Sequence, residues 1–388
     1  MGLLIFFALT QRSIKQKLHL LKERKYLWFM LAFAIWLITS FFLSENHSDG
    51  LRSLQLRLPL ILFPLSIGLM RLTKQLRDTI LLGIAIIVSV SCFVSLCWSI
   101  NRFILENNSA WLYNDALSYL IGQQSIYTSL FVNIAIYIFA YYLLYSGLSR
   151  GYKFLLIVAI IFLFIISYLL ASRNMMLILY MSTIFFSFYF ILTKKKYLGG
   201  AALLMGIIIT GFLVFKFFPK TINRFRELAY TQFNFQSQAK ESHYAGELTP
   251  EQWNGANFRL AAWQCGWQLF KEHPFTGVDL GDKEAELLRV YTQKKFQFAI
   301  ATNKNVHNNY LDILFSMGVA GLVLFLTGWI LLPLFQAIRN HDGLAFLILI
   351  TFSLAMVTEN YFDRSVGAML FGFFVPFLLT PFPNSRTP

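Results

Sequence analysis

The sequence predicts an all-α fold: a polytopic bundle of membrane helices with one large helical loop outside the membrane. Composition is the first observation, because 57% of the 388 residues are hydrophobic, only 13% are charged, and the mean hydropathy is +0.57. An ordinary globular chain has about 25% charged residues, so this chain has too few to cover a soluble surface. The second observation is a series of apolar runs near the roughly 20 residues that cross a bilayer. The third is that no β-hairpin signal separates these runs.

Ten apolar segments of near-spanning length follow one another along the chain. They cover approximately residues 26–43, 58–70, 79–100, 126–145, 154–170, 175–192, 197–218, 311–334, 344–357 and 365–379. The second segment is short and contains Pro59 and Pro64, so we expect it to be irregular or shielded by neighbouring helices. Residues 2–9 are apolar but too short to span, and we interpret them as a fragment of a further helix. The bundle is therefore expected to have about 10–12 spans.

The distribution of Lys and Arg predicts the side that each short loop faces. The net charge is +14, and the basic residues stand in short clusters between the apolar runs. If residues 193–196 (TKKK) are cytoplasmic, the segments on their side carry 16 Lys and Arg, against 5 in the short segments opposite. The positive-inside rule then places both termini in the cytoplasm and residues 219–310 outside.

The long external segment divides the chain into three regions. These are an N-terminal transmembrane bundle (1–218), the external helical loop (219–310) and C-terminal transmembrane helices (311–388). In the loop, apolar residues from Phe258 to Leu269 follow the spacing of one helical face, with Asn257 as N-cap and Pro274 after the end. Two further amphipathic helices are expected, over about 221–239 and over about 283–297 behind Asp282 as cap.

Chemistry is expected where the chain leaves the bilayer on the external side, because charged groups are scarce inside the spans. The main candidates there are Arg173, Arg259 and His307. Two guanidinium groups at a membrane boundary suit bidentate binding of phosphate oxygens, and a histidine can exchange a proton near neutral pH. A lipid pyrophosphate, with its tail in the bilayer and its charged head at the interface, fits such a site. It is an activated glycosyl donor, so no nucleotide is needed, and no Walker-type or Rossmann glycine loop is present.

Each candidate also has a purely structural explanation. Arg173 could be a snorkelling residue in a tight turn. Arg259 could cover a helix face and stack on Trp263, four positions later. His307 could be an ordinary loop residue before Asn308, which is placed to cap the next helix. Three further residues are supporting candidates beside the main ones: Trp263, Asn308, and Glu359 in the external segment TENYFDRS (358–365).

The sequence contains no convincing set of metal ligands. Asp279 and Asp282 in GVDLGD are more typical of a loop and a helix cap than of a metal site. His243 and His273 lack partners at the spacing of zinc ligands. The sequence therefore predicts no metal and no cofactor.

Three segments resemble the signature region of the O-antigen ligase family, which includes O-antigen polymerases and protein O-oligosaccharyltransferases. They are SRNMMLILYM (172–181), NFRLAAWQCGWQLFKEHPFTGVDLGD (257–282) and VHNNYLDILFSMGVAGLVLF (306–325). The resemblance is strongest over residues 155–335 and lies in the order and spacing of the segments. This sequence departs from the family pattern in GVDLGD, where relatives are often richer in glycine, and in having ten spans where about twelve are usual.

The resemblance implies a metal-independent, inverting glycosyltransferase of the GT-C type in the bacterial inner membrane. Its donor would be an undecaprenyl-pyrophosphate-linked glycan, and its acceptor a hydroxyl group, with lipid A-core favoured, at the periplasmic face. Arg173 matches the Arg after a Ser in the turn between two core spans, and Arg259 the Arg that opens the loop helix; both are implied to bind pyrophosphate. His307 matches the His of H-N-x-Y-L, implied to deprotonate the acceptor or to stabilise the pyrophosphate.

Several functions remain as alternatives. Within the same superfamily, the chain could be an O-antigen polymerase or a protein O-oligosaccharyltransferase. The external loop carries eleven Lys or Arg against nine acidic residues, a balance that favours one pyrophosphate site and therefore a ligase. A polysaccharide transporter or flippase is disfavoured because no inverted repeat or pair of broken helices is visible. A non-catalytic scaffold of the cell envelope would tolerate loss of the candidate residues.

Overall fold

The computed structural model describes residues 13–192, 195, 197–217, 230–239, 241 and 251–380. These residues form helices joined by turns and loops, with one isolated β-bridge between Glu241 and Trp253, so the all-α prediction is confirmed. The predicted helical fragment 2–9, most of the basic stretch 193–196, and His243 lie outside the described residues. So does the first part of the helix predicted over 221–239; residues 230–239 are described and are not helical, so that part of the prediction is wrong.

Fourteen segments of the described chain are named here as helices. They are α1 (Ile14–Glu23), α2 (Lys25–Leu43), α3 (His47–Ser66), α4 (Lys74–Glu106), α5 (Ser125–Tyr145), α6 (Arg150–Leu169), α7 (Arg173–Leu192), α8 (Tyr197–Phe217), α9 (Asn257–Glu272), α10 (Lys283–Gln293), α11 (Gln297–Thr302), α12 (Asn309–Arg339), α13 (Gly343–Ala355) and α14 (Ser365–Leu379). Each of the ten predicted apolar segments overlaps one of them. Within the described residues, α2, α4, α5, α6 and α12 are long and apolar enough to cross a membrane, and α13 and α14 are apolar but shorter. The chain is a membrane protein with an all-α bundle.

Helix α3 is the main difference from the predicted elements. The sequence analysis left residues 44–57 between two predicted apolar segments, but the helix begins at His47, where the Asn46 side chain accepts a hydrogen bond from the Asp49 N–H. It continues past Pro59 and Pro64, both buried, to a short 3₁₀ turn. The first half of α3 is polar and the second half contains two prolines, so no hydropathy window identifies the whole helix. Tertiary packing therefore determines where this helix begins and ends.

The described chain forms two compact units, Met1–Thr73 with Glu227–Pro388, and Lys74–Arg226. In the first unit, α2 packs on α3 and α12, α3 packs on α14, and α9 of the loop packs on α12. In the second unit, α5 packs on α4, α6 and α7, and α7 packs on α8. The division at residues 218 and 310 stays a prediction.

Helix α12 is interrupted at Gly318, whose φ of 66° and ψ of −173° are not helical. The loop after α9 fits against this break. The Val278 and Asp279 N–H groups donate to the carbonyls of Phe315 and Ser316, and the Val319 N–H donates to the Pro274 carbonyl. A Cβ on Gly318 would lie 2.0 Å from the Phe275 carbonyl oxygen, so only glycine fits this backbone approach. The break therefore fixes the loop that leads into α10.

Candidate functional site

Three of the sequence-predicted residues come together in the first unit. Nδ1 of His307 lies 3.2 Å from Oε2 of Glu359, at hydrogen-bond distance. Nη2 of Arg259 lies 4.0 Å from the same carboxylate oxygen. All three side chains are partly exposed, with 25% exposure for Arg259, 24% for His307 and 13% for Glu359, so a substrate can reach them.

His307 lies in a short segment that is held on both sides. Before it, the Val306 carbonyl accepts a hydrogen bond from the Trp263 indole N–H at 2.9 Å. After it, Asn308 is the N-cap of α12, and its side chain accepts from the Leu311 N–H, as predicted. His307 itself has a positive φ of 47°, a conformation that is uncommon outside glycine and costs free energy. The surrounding contacts therefore hold the histidine in one backbone conformation.

Glu359 follows α13 in a turn that packs against the start of α12. The Asn309 N–H donates to the Met356 carbonyl, and the Asn309 side chain accepts from the Phe362 N–H. Burial favours the neutral form of the Glu359 carboxyl, but the hydrogen bond and charge of His307 and the charge of Arg259 outweigh it. The pKa of Glu359 is therefore lowered from its ordinary value.

A Glu359 carboxylate that stays ionised determines the tautomer of His307. It accepts a hydrogen bond from Nδ1–H, so in the neutral imidazole the lone pair lies on the other ring nitrogen, Nε2. Nε2 can then take a proton from a substrate hydroxyl. The pair has the geometry of a general base and the carboxylate that orients it.

Arg259 is placed by the first turn of α9. The helix begins at Asn257, and the prediction that Asn257 is its N-cap is wrong: the Asn254 side chain accepts from the N–H groups of Ala256 and Asn257. Asn257 instead uses its side-chain amide to hold the preceding loop, because Nδ2 donates to the carbonyls of Gln232 and Gln252. Helix α9 ends at Glu272, before Pro274, as predicted.

Hydrogen bonds orient the guanidinium of Arg259. Nε donates to the Thr358 carbonyl at 2.9 Å, and Nη1 donates to the Gly255 carbonyl. The Thr358 contact joins α9 to the turn that carries Glu359, which is 100 positions later in the chain. The predicted stacking of Arg259 on Trp263 stays a prediction; the Trp263 indole is used to hold Val306.

A largely buried group of four charged residues lies next to this site, and the sequence analysis did not predict that these residues meet. Arg57 and Lys283 each pair with both Asp312 and Asp363, at distances of 2.7–3.1 Å. The side chains of Arg57 and Lys283 are only 1% and 3% exposed. Two cations and two anions balance, as a buried charged group requires.

The buried charges are connected to His307 through Asn305. Nδ2 of Asn305 donates to Asp363 Oδ2 at 2.9 Å, while its Oδ1 accepts from the His307 N–H at 3.0 Å. Asn360, next to Glu359, also donates to Asp363 Oδ2. Asp363 therefore supports the backbone on both sides of the His307–Glu359 pair.

Arg173 lies in the second unit, where it begins α7 after a sharp turn. Helix α6 ends at Leu169, Ala171 has a positive φ of 50°, and the Ser172 carbonyl accepts from the Met176 N–H. The tight turn between two apolar helices agrees with the sequence analysis. Arg173 is half-buried. Its approach to Arg259 and His307 stays a prediction.

The two carboxylates of GVDLGD hold the loop in place. Asp279 accepts a hydrogen bond from the Ser40 hydroxyl, and Asp282 accepts from the N–H groups of Glu45 and Asn46. Asp282 is the N-cap residue of α10, as predicted, but its side chain makes no capping hydrogen bond to that helix. The helix predicted over 283–297 ends at Gln293 and is followed by α11.

Comparison with known families gives a match over the middle of the chain. Residues 135–326 match the family described as O-antigen ligase. The match covers just under half of the chain and supports membership of the O-antigen ligase family. No curated protein matches the sequence. The matched region includes Arg173, Arg259 and His307; Glu359 and Asp363 lie beyond its end. Members of the family are glycosyltransferase-like ligases and polymerases that use a lipid-linked glycan and an acceptor in a membrane.

Proposed function

We propose that this protein is an inverting glycosyltransferase of the ligase type in the bacterial inner membrane. It transfers a glycan from undecaprenyl pyrophosphate to an acceptor hydroxyl at the periplasmic face, and lipid A-core is the acceptor we favour. The observation that carries this proposal is the His307–Glu359 pair beside Arg259, within the O-antigen ligase family region and its C-terminal flank. Both termini are cytoplasmic in this proposal.

The proposed reaction is a single displacement. His307 Nε2 takes the proton of the acceptor hydroxyl, whose oxygen forms a bond to the anomeric carbon of the donor. The bond from that carbon to the pyrophosphate oxygen breaks, and its electron pair leaves with the pyrophosphate. Arg259 and Arg173 neutralise the charge that develops on this leaving group. One displacement inverts the anomeric centre, and no metal takes part in it.

A ligase and a polymerase share this donor chemistry and differ in the acceptor. A polymerase holds two lipid-linked glycans, each with a pyrophosphate head, and should need more positive charge outside the membrane. Eleven basic against nine acidic residues over 219–310 support a single pyrophosphate site. We therefore expect deletion of the gene to leave long lipid-linked chains unattached. Single repeat units on the acceptor would show a polymerase instead.

The site is tested by His307→Ala in a transfer assay with purified membrane protein, lipid-linked glycan and lipid A-core. We expect transfer to be lost while the protein level in the membrane is kept. The matched control is His273→Ala, because His273 is an exposed histidine on the same loop, at the end of α9. Normal transfer by His307→Ala would contradict the role of His307 as general base. Loss of transfer with EDTA, restored by Mg²⁺ or Mn²⁺, would contradict the proposed independence of metal.

The orientation is tested separately with topology reporters. A reporter fused at Lys195 should stay in the cytoplasm, and one fused at Ala239 should reach the periplasm, because the basic residues are concentrated on the side of Lys195. Both reporters on one side of the membrane would remove the periplasmic site from the proposal.

A further inference from the structure

An open cleft of about 560 Å³ lies in the first unit, beside the segment that carries His307. Its volume falls within the range of about 300–1,000 Å³ that is usual for small-molecule sites. Three aromatic side chains line it: Trp263 and Trp267 from one side of α9, and Phe233. The polar side chains of Thr231, Gln264 and Asn308 share the lining.

The cleft adjoins the proposed base through two contacts. Asn308, which directly follows His307, is one of the lining residues. Trp263 lines the cleft and donates its indole N–H to the carbonyl of Val306, which directly precedes His307. His307 therefore lies between Val306, which is bonded to a lining residue, and Asn308, which is a lining residue itself. A ligand in the cleft is for that reason close to His307.

The lining differs in charge from the site of Arg259. No lining residue of the cleft carries a formal charge, so the cleft suits a neutral group rather than a pyrophosphate. Trp267 is 50% exposed, and its ring is supported by Phe270 at a centroid distance of 4.9 Å. An exposed flat ring with hydroxyl and amide groups beside it matches a sugar ring, which has an apolar C–H face and polar hydroxyl edges. A prenyl chain could form no hydrogen bonds with the polar side chains of the lining.

We propose that this cleft binds the sugar rings of the acceptor glycan, with Trp267 as the stacking surface. This inference rests on the proposed function, because it names the part of the protein that delivers the acceptor hydroxyl to His307. The acceptor, rather than the donor glycan, is favoured because a general base must lie within hydrogen-bond reach of the hydroxyl that it deprotonates.

The test is binding of two separate probes to the full-length protein in detergent, measured by isothermal titration calorimetry. One probe is core oligosaccharide released from its lipid by mild acid; the other is undecaprenyl pyrophosphate without glycan. We expect Trp267→Ala to weaken oligosaccharide binding about tenfold and to leave undecaprenyl pyrophosphate binding unchanged. Trp267→Phe should restore most of the oligosaccharide affinity. The matched control is Phe275→Ala, because Phe275 is an exposed aromatic residue of the same loop that does not line the cleft.

Three results would overturn the proposal. If Trp267→Ala weakens only undecaprenyl pyrophosphate binding, the cleft holds the lipid tail. If oligosaccharide affinity is the same in Trp267→Ala and in the wild-type protein, the cleft is not a glycan site. If Trp267→Ala changes only the KM for the donor in the transfer assay, the cleft holds the donor glycan. Failure of the proposed function would look different, because the wild-type protein would then bind the oligosaccharide without transferring any glycan to lipid A-core.

Discussion

Glu359→Gln tests the mechanism most directly, because it removes the charge of the carboxylate and keeps its size. In the structure, Oε2 of Glu359 lies 3.2 Å from Nδ1 of His307. A glutamine can present either its carbonyl oxygen or its amide N–H to Nδ1. The second orientation requires Nδ1 to accept, which puts the proton on Nε2 and prevents that nitrogen from acting as a base.

The size of the effect follows from this one contact. A hydrogen bond to a charged group contributes about 1.5–3 kcal/mol. At about 1.4 kcal/mol for each factor of ten, kcat should fall by about 10- to 150-fold. The KM for the donor should not rise, because the carboxylate lies 4.0 Å from Nη2 of Arg259 and its removal leaves more positive charge available to the pyrophosphate.

The assay is transfer of glycan to lipid A-core at saturating and limiting donor, with products separated by gel electrophoresis. The matched control is Glu272→Gln, because Glu272 is a more exposed carboxylate on α9 that pairs with Arg289; its kcat should stay within about twofold of wild type. Two results would refute the reasoning: full kcat in Glu359→Gln, or a loss that appears only in the KM for the donor.

Three other changes test the parts of the structure around this pair. Gly318→Ala places a Cβ 2.0 Å from the Phe275 carbonyl oxygen and should break three backbone hydrogen bonds of about 1 kcal/mol each. Thermal unfolding in detergent should therefore show that the free energy of unfolding falls by about 3 kcal/mol or more. The control is Gly83→Ala, which has open space around it in α4 and should be neutral or stabilising. For Asp363, burial raises the pKa but the charges of Lys283 and Arg57 outweigh it and lower the pKa to about 2. Because the pKa is lowered, the carboxylate contributes its full stabilisation above about pH 4, and this contribution is lost as the pH falls toward 2. Asp363→Asn should be less stable than the wild-type protein near neutral pH and should lose less stability in that acid range. If the dependence of stability on pH is the same in the variant and in the wild-type protein, the ion pairs of Asp363 are contradicted. Arg259→Lys should lower transfer strongly, because the ammonium group of Lys is a point charge and cannot replace the planar guanidinium that bonds to the carbonyls of Thr358 and Gly255. If the variant keeps the kcat and KM of the wild-type protein, Arg259 is not part of the site.

Hydropathy predicted the positions of the apolar helices well, and it failed where a helix has mixed character. The span predicted over 126–145 agrees with α5, Ser125–Tyr145, because the polar borders coincide with the helix ends. Helix α3 was missed over its first half because His47, Asp49 and Arg52 read as a loop. Its Arg57 is buried only because Asp312 and Asp363 meet it there, and a hydropathy window contains no information about such partners.

The candidate site was predicted in part for a similar reason. The sequence singled out Arg259, His307 and Glu359 because each stands where the chain leaves an apolar segment, and the structure brings these three together. It also predicted Asn308 as a cap from local spacing alone. Lys283 was counted only as one of the basic residues of the loop, although it is buried against Asp312, 29 positions later.

The buried charges explain why a motif of consecutive residues is not enough to define this site. His307 has a positive φ, a conformation that costs free energy and persists only where surrounding contacts hold it. The backbone of His307 is held by Asn305, Asn305 is held by Asp363, and Asp363 is held by Lys283 and Arg57. Residues from α3 and α10 thus fix the position of the proposed base without contacting it. It follows that a substitution at Arg57 should impair transfer even though Arg57 would touch neither donor nor acceptor.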